Sequence, residues 1–308
     1  MQIRYFSSAW NDIRNSPGWL GRAMRLVLLN FIPIFGQIVT IGYMIGWARD
    51  IAWGIHQPMP SRIFENKDGK LYRHGFFGLV IALVFGIVAN VPNAISDALT
   101  GNSVLGSSVL YDNGAGVSVT STVSTGAYGI ALVFSLIALV LSMFLLFFQP
   151  AACIRMAIYD RLSAGFQLGK LWKMFRHDTN GALRIIGMVL IAGIVITVVS
   201  VLVILMIALI FGLIVAATAG VSGVAETGEV TSGLRSLYAG FGGVGAITTL
   251  LALFVIVSFV VLAEMMVYRA VGYWMYQFDV PHWGGQDQPM PFELGGAGAQ
   301  QGSGGQGR

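Results

Sequence analysis

HGFFGLVIALVFGIVANVPN (74–93) and AYGIALVFSLIALVLSMFLLFF (127–148) lie inside a run of 81 residues, 74–154, without one Lys or Arg. Dense basic clusters bound that run. Five basic residues fall between Arg49 and Arg73, and six between Arg155 and Arg184. A second basic-poor stretch then runs to Arg269, broken only by Arg235. Apolar segments alternating with basic clusters are the positive-inside pattern of a chain threaded repeatedly through a membrane.

Composition points the same way. Hydrophobic residues make up 56% of the chain and charged residues 10%, with a mean hydropathy of +0.74. Soluble domains carry about 25% charged residues, so water cannot be the solvent for most of this surface. The net charge of +4 sits beside apolar segments, where an anionic leaflet attracts it. The expected partners are a lipid bilayer and a further membrane protein, with no nucleic acid. Cys153 is the only cysteine, which rules out an intrachain disulfide, and a small buried residue is the expectation there. The N-terminus does not read as a cleaved signal peptide, because Trp10, Asp12 and Trp19 precede the first apolar run.

Five apolar segments can be drawn: Leu26 to Ala48, Phe76 to Ile95, Ala127 to Phe148, Leu183 to Ala219, and Val244 to Tyr268. Each reaches the ~20 residues that cross a hydrocarbon core as a helix; lipid satisfies no backbone groups, so helices are the default, and the alternation of an outer-membrane barrel is absent. The fold class is all-α, a polytopic helical membrane bundle. The loops 49–74 and 155–182 should be cytoplasmic, the loops 96–126 and 220–243 outside, and the C-terminus cytoplasmic. Residues 1–283 form one membrane domain, and the Gly- and Gln-rich stretch 284–308 reads as a disordered tail.

The first segment departs from this scheme. Arg4, Arg14, Arg22 and Arg25 precede it and a second basic cluster follows, so both flanks belong inside. It contains IPIFGQ (32–37), and Pro33 removes a helical hydrogen bond. Either a re-entrant or sharply kinked helix pair enters and leaves on the cytoplasmic side, or a plain span leaves four arginines outside. The fourth segment, some 37 residues without proline, would be one tilted helix of ~55 Å. Two amphipathic stretches should lie in the interface. One carries Tyr5, Phe6, Ala9, Trp10 and Ile13, and the other has Leu168, Leu171, Trp172 and Phe175 on one face. Trp10 and Phe166 lie 16 residues before Leu26 and Ala182 respectively, each at the start of an apolar run, the spacing of a weak internal repeat. Around Tyr111-Asp112-Asn113-Gly114, alternating residues suit a small outer β-hairpin or a polar loop.

Gly42-Tyr43, Arg49 and Pro58-Met59-Pro60, then Lys70, Arg73 and Gly75, form one group of motifs. Arg155-Met156-Ala157-Ile158-Tyr159 and Ala164-Gly165-Phe166 form a second. Their succession over most of residues 5–280 resembles the prokaryotic integral membrane proteins grouped as domain of unknown function 4013. The resemblance implies a membrane fold in a bacterial or archaeal cytoplasmic membrane, and it supplies no reaction, cofactor or catalytic residue.

No nucleotide loop, metal spacing among His56, His74, His177 and His282, or nucleophile elbow is present, so an enzyme is not expected, nor any cofactor or metal. Polar residues at membrane depth are costly and need a reason. Glu264, with Tyr268 and Arg269 close behind it, is either an ion or proton site or an inner-interface pair with arginine. Asn90, Asn93 and Asp97 either line a polar mouth or end a helix. Gln37 beside the Pro33–Gly36 break either marks a broken-helix ion site or follows a packing kink. Gly42 and Gly46 give a small-residue seam, and Trp47, Trp53, Trp172, Tyr273 and Trp274 an aromatic belt. The functional expectation is a non-enzymatic scaffold or accessory subunit of a membrane complex, with a small transporter or channel subunit as the alternative.

Overall fold

Without water to satisfy its backbone, a chain this apolar closes its hydrogen bonds locally, and a computed structural model is helical throughout. It describes residues 5–64, 69–100, 125–222 and 230–294, with no strand among them. The helices are α1 (Tyr5–Arg14), α2 (Trp19–Asn30), α3 (Phe35–Ala52), α4 (Lys70–Thr100), α5 (Thr125–Tyr159), α6 (Leu162–Gly165), α7 (Leu168–His177), α8 (Thr179–Ser222) and α9 (Val230–Tyr276). Lys70–Leu99, Gly129–Tyr159, Thr179–Ile210 and Ile247–Tyr276 are long and apolar enough to cross a membrane, as in a multi-pass membrane protein.

The fourth apolar segment is one continuous helix, α8, as its lack of proline predicts. The first is not one continuous helix. It is two helices, α2 and α3, separated at Phe31–Ile34. Pro33 cannot donate into a helix, and Ile34 turns the chain at φ 63°, a left-handed conformation that costs a branched residue energy. Gly36 then lets α3 fold back onto α2, because a Cβ there would collide with the Leu29 carbonyl. The Asn30 amide adds a donor to the Leu26 carbonyl at 2.9 Å.

At the other boundaries the helices outrun the predicted loops. α4 continues through Asn90, Asn93 and Asp97 to Thr100, and α9 begins at Val230, so most of the expected loop 220–243 is helix. The predicted hairpin around Tyr111 lies outside the described residues. Trp10 lies inside α1, whereas Phe166 follows α6, so the equal spacing of the two does not mark equivalent positions.

α3 holds the centre, packed on α4, α9, α5 and α2. The close approach depends on missing side chains. A Cβ on Gly42 would strike the Leu71 carbonyl, one on Gly75 the Ile38 carbonyl, and one on Gly272 the Ala48 carbonyl. Gly46, the other half of the expected seam, has open space around it. The buried core gathers at the end of the bundle that carries the basic residues. There, Trp47 and Trp274, expected in an interfacial belt, are 2% and 0% exposed. Trp274 is gripped edge-on by Phe147 and Phe278, with ring centroids at 5.0 and 4.9 Å. Trp53 and Trp172 stay exposed, as a belt requires.

Both amphipathic stretches are helices, but each divides its apolar residues between protein and surroundings. α1 buries Tyr5, Ala9 and Ile13 while Phe6 is exposed, and α7 buries Leu171, Met174 and Phe175 while Leu168 and Trp172 are exposed. The chain also stays packed past the expected boundary at Gly284. After a 3-10 turn at Val280–His282, Met290 is buried, and Glu293 lies 3.3 Å from Lys173 on α7.

Candidate functional site

The five residues singled out as membrane-depth candidates do not converge. Gln37 is exposed on α3, and Asn90, Asn93 and Asp97 follow an exposed stripe of α4. The Asn90 side chain donates to the Gly86 carbonyl of its own helix at 2.8 Å. Beside Gln37, the carbonyls of Ile32, Pro33 and Ile34 already accept backbone N–H groups, leaving them poorly placed as cation ligands. Glu264 is exposed on α9 and does not pair with Arg269. Among the described residues, no group of three His, Cys, Asp or Glu side chains could hold a metal ion.

Arg269 instead meets a carboxylate from the other end of the chain. It is buried at 1% exposure. Its Nε donates to Asp12 Oδ2 at 2.7 Å, its Nη1 to the Trp47 carbonyl at 2.7 Å, and its Nη2 to the Gln57 carbonyl at 3.2 Å. The guanidinium also stacks over Trp47, 4.2 Å from the ring centroid, and the Tyr273 hydroxyl donates to the same Asp12 oxygen at 2.7 Å. A buried charge is tolerated only when paired and hydrogen-bonded in this way. The cluster ties α1, α3, the loop after α3, and α9 together. Sequence reasoning missed Asp12. The available signal was its position three residues after Ala9, on the apolar face of α1, as the one acidic residue before Asp50.

A second buried arginine, Arg155, donates to Gln167 Oε1 at 2.9 Å and to the Gln286 carbonyl at 3.0 Å. It sits 5.0 Å from the Tyr159 ring and 5.5 Å from Trp283. Gln167 in turn donates to Asp287 at 2.7 Å. The C-terminal segment is thus strapped over the end of α5.

Asp160, just beyond α5, draws three side chains from the start of α4. Lys70 approaches at 3.2 Å, Arg73 at 2.8 Å and His74 at 2.5 Å. Partial burial would raise its carboxyl pKa, but the bonds from His74, Arg73 and Lys70 outweigh that and hold it at about 2.

Clefts open at the basic end and between the apolar helices. One, of about 480 Å³, lies between α2, α3, the loop through Gln57–Ile63 and the start of α4, and is lined by Arg22, Arg49, Arg62, Lys70 and Asp50. The other, of about 290 Å³, is almost wholly apolar and lies between α1, α8 and α9 beside Phe6, Trp10 and Met266.

The family described as Protein of unknown function (DUF4013) matches residues 25–208, more than half of the chain and reaching from α2 into α8. No curated protein and no solved structure matches.

Proposed function

The chain belongs to the DUF4013 family, and from that premise we propose that it is a non-enzymatic scaffold or accessory subunit of a complex in a prokaryotic cytoplasmic membrane. The observation that carries this reading is the uneven distribution of its core. Buried side chains gather at the basic end around Arg269 and Arg155, while the most apolar window of the α8 span has no buried residue. A rigid, polar-wired platform on bare apolar helices suits presentation of a surface to a partner and contact with lipid or partner helices.

In this reading the basic end and the C-terminus are cytoplasmic, and α2–α3 is a re-entrant hairpin. Support for the hairpin comes from its tip. Phe31, Ile32, Ile34 and Phe35 are exposed, and Phe31 stacks on Phe254 within the α9 span at 6.4 Å. Four adjacent exposed apolar side chains suit hydrocarbon and not water. The arrangement leaves all four early arginines inside.

The competing reading, a small transporter or channel subunit, draws on the break before Gln37 and on exposed Glu264. Ion and proton flux into liposomes containing the purified full chain separates the two. The scaffold reading expects flux equal to that of protein-free liposomes. Flux that Glu264→Gln or Gln37→Ala abolishes would overturn it.

A further inference from the structure

We propose that the 480 Å³ cleft between α2, α3 and the start of α4 binds a phosphate-bearing anion at the membrane surface. Its size falls within the range of small-ligand sites. Arg22, Arg49, Arg62, Lys70 and Asp50 are among its lining residues. With Arg62 set aside, the described cations Arg22, Arg49, Lys70 and the neighbouring Arg73 stand against two carboxylates, Asp50 and Asp160.

Part of the positive charge is left without a carboxylate of its own. The Arg22 guanidinium donates to the Met59 carbonyl, a neutral acceptor that leaves its charge uncompensated. Arg49 reaches Asp50 at 3.2 Å, and Lys70 shares Asp160 with Arg73 and His74. Guanidinium forks favour tetrahedral oxyanions, with charge-assisted bonds about twice as strong as neutral ones. The cleft wall also has a gap in it. Gly46 faces space with no atom within 4 Å of where its Cβ would be, so the concavity is kept open where α3 could carry a side chain.

Phospholipid headgroups and soluble phosphate esters share this chemistry, and Ile63 adds an apolar side chain to the lining. The proposal is independent of the scaffold reading, because a flux-competent protein could bind an anion here equally well.

The full chain, purified in neutral detergent, is titrated calorimetrically with short-chain phosphatidylglycerol, with phosphatidylcholine of the same chain length, and with glycerol 3-phosphate. Saturable binding of phosphatidylglycerol over phosphatidylcholine identifies a lipid headgroup, and saturable binding of glycerol 3-phosphate a soluble ester. In either case Arg22→Gln should weaken binding about tenfold, the loss of one charge-assisted bond, and Gly46→Phe should abolish it by filling the cleft. Should Gly46→Phe fail to fold, Arg22→Gln decides alone. Absence of saturable binding, equal affinity for phosphatidylcholine, or affinity unchanged in the folded variants would overturn the proposal.

Discussion

Arg269, near the end of α9, donates its Nε to the Asp12 carboxylate of α1 at 2.7 Å, pairing two residues 257 positions apart. Removing one partner of a buried pair strands the other charge and costs about 3–5 kcal/mol. Here the Trp47 and Gln57 carbonyls still hold the guanidinium, so Asp12→Ala should fall near the lower end, about 3 kcal/mol. Tyr273→Phe, which removes one hydrogen bond to the same oxygen, should cost about 1 kcal/mol. Unfolding of the full chain in detergent micelles measures both. An Asp12→Ala protein as stable as the parent would mean that the cluster does not hold α1 in place.

The two glycines of the expected seam should behave in opposite ways. Gly42→Leu drives a side chain into the Leu71 backbone, which cannot give way as a side-chain tip can, and should cost about 3 kcal/mol or prevent folding. Gly46→Ala meets nothing and should be neutral or stabilising by up to about 1 kcal/mol, the helix preference for alanine. Equal effects from the two would contradict the packing of α3 on α4.

Asp160 makes stability depend on pH at the acid end. Its folded pKa of about 2 lies below the usual carboxylate value. Its contribution is therefore fully present above pH ~4 and lost as pH falls through about 2. Asp160→Asn should remove that acid-dependent loss and lower the melting temperature at pH 7. Asparagine tolerates the left-handed conformation Asp160 adopts, at φ 56°, so the substitution isolates the charge. A melting temperature that falls equally with acid in both proteins would place the sensitive group elsewhere.

Met290 tests the C-terminal strap. It is buried at 2% exposure in a segment whose composition reads as solvent-exposed tail. Met290→Ala should cost about 2–5 kcal/mol if that packing holds the strap in the folded core. It should also speed proteolysis after Trp283, because the strap opens more readily. Stability and cleavage rate unchanged from the parent would show that the strap is dispensable.

How much of this was legible in the sequence differs from residue to residue. Pro33 and Gly36 announced a break, because proline and close backbone approach act locally, and the helices stop and restart there. The absence of proline over Leu183–Ala219 announced one long helix for the same reason. An aromatic belt misplaces Trp47 and Trp274, which are buried. Aromatics near a basic cluster suit an interface belt or a core equally, and only the neighbours Phe147, Phe278 and Arg269 decide between them. One of the two readings of Glu264 pairs it with an arginine close by in sequence, whereas Arg269, five residues on, takes Asp12 as its partner. Local spacing favours nearby partners, whereas a buried charge takes whichever carboxylate the fold delivers.

Hydropathy and the banding of Lys and Arg determined a helical membrane protein and which end is basic, because the bilayer imposes the same demand on every segment regardless of its neighbours. Tertiary structure alone decided which groups that end brings together: Asp12 with Arg269, Asp160 with Lys70, Arg73 and His74, and Arg22 with the Met59 carbonyl. Those are contacts between distant segments, set by how backbones meet at Gly42, Gly75 and Gly272, and no periodicity along the chain records them.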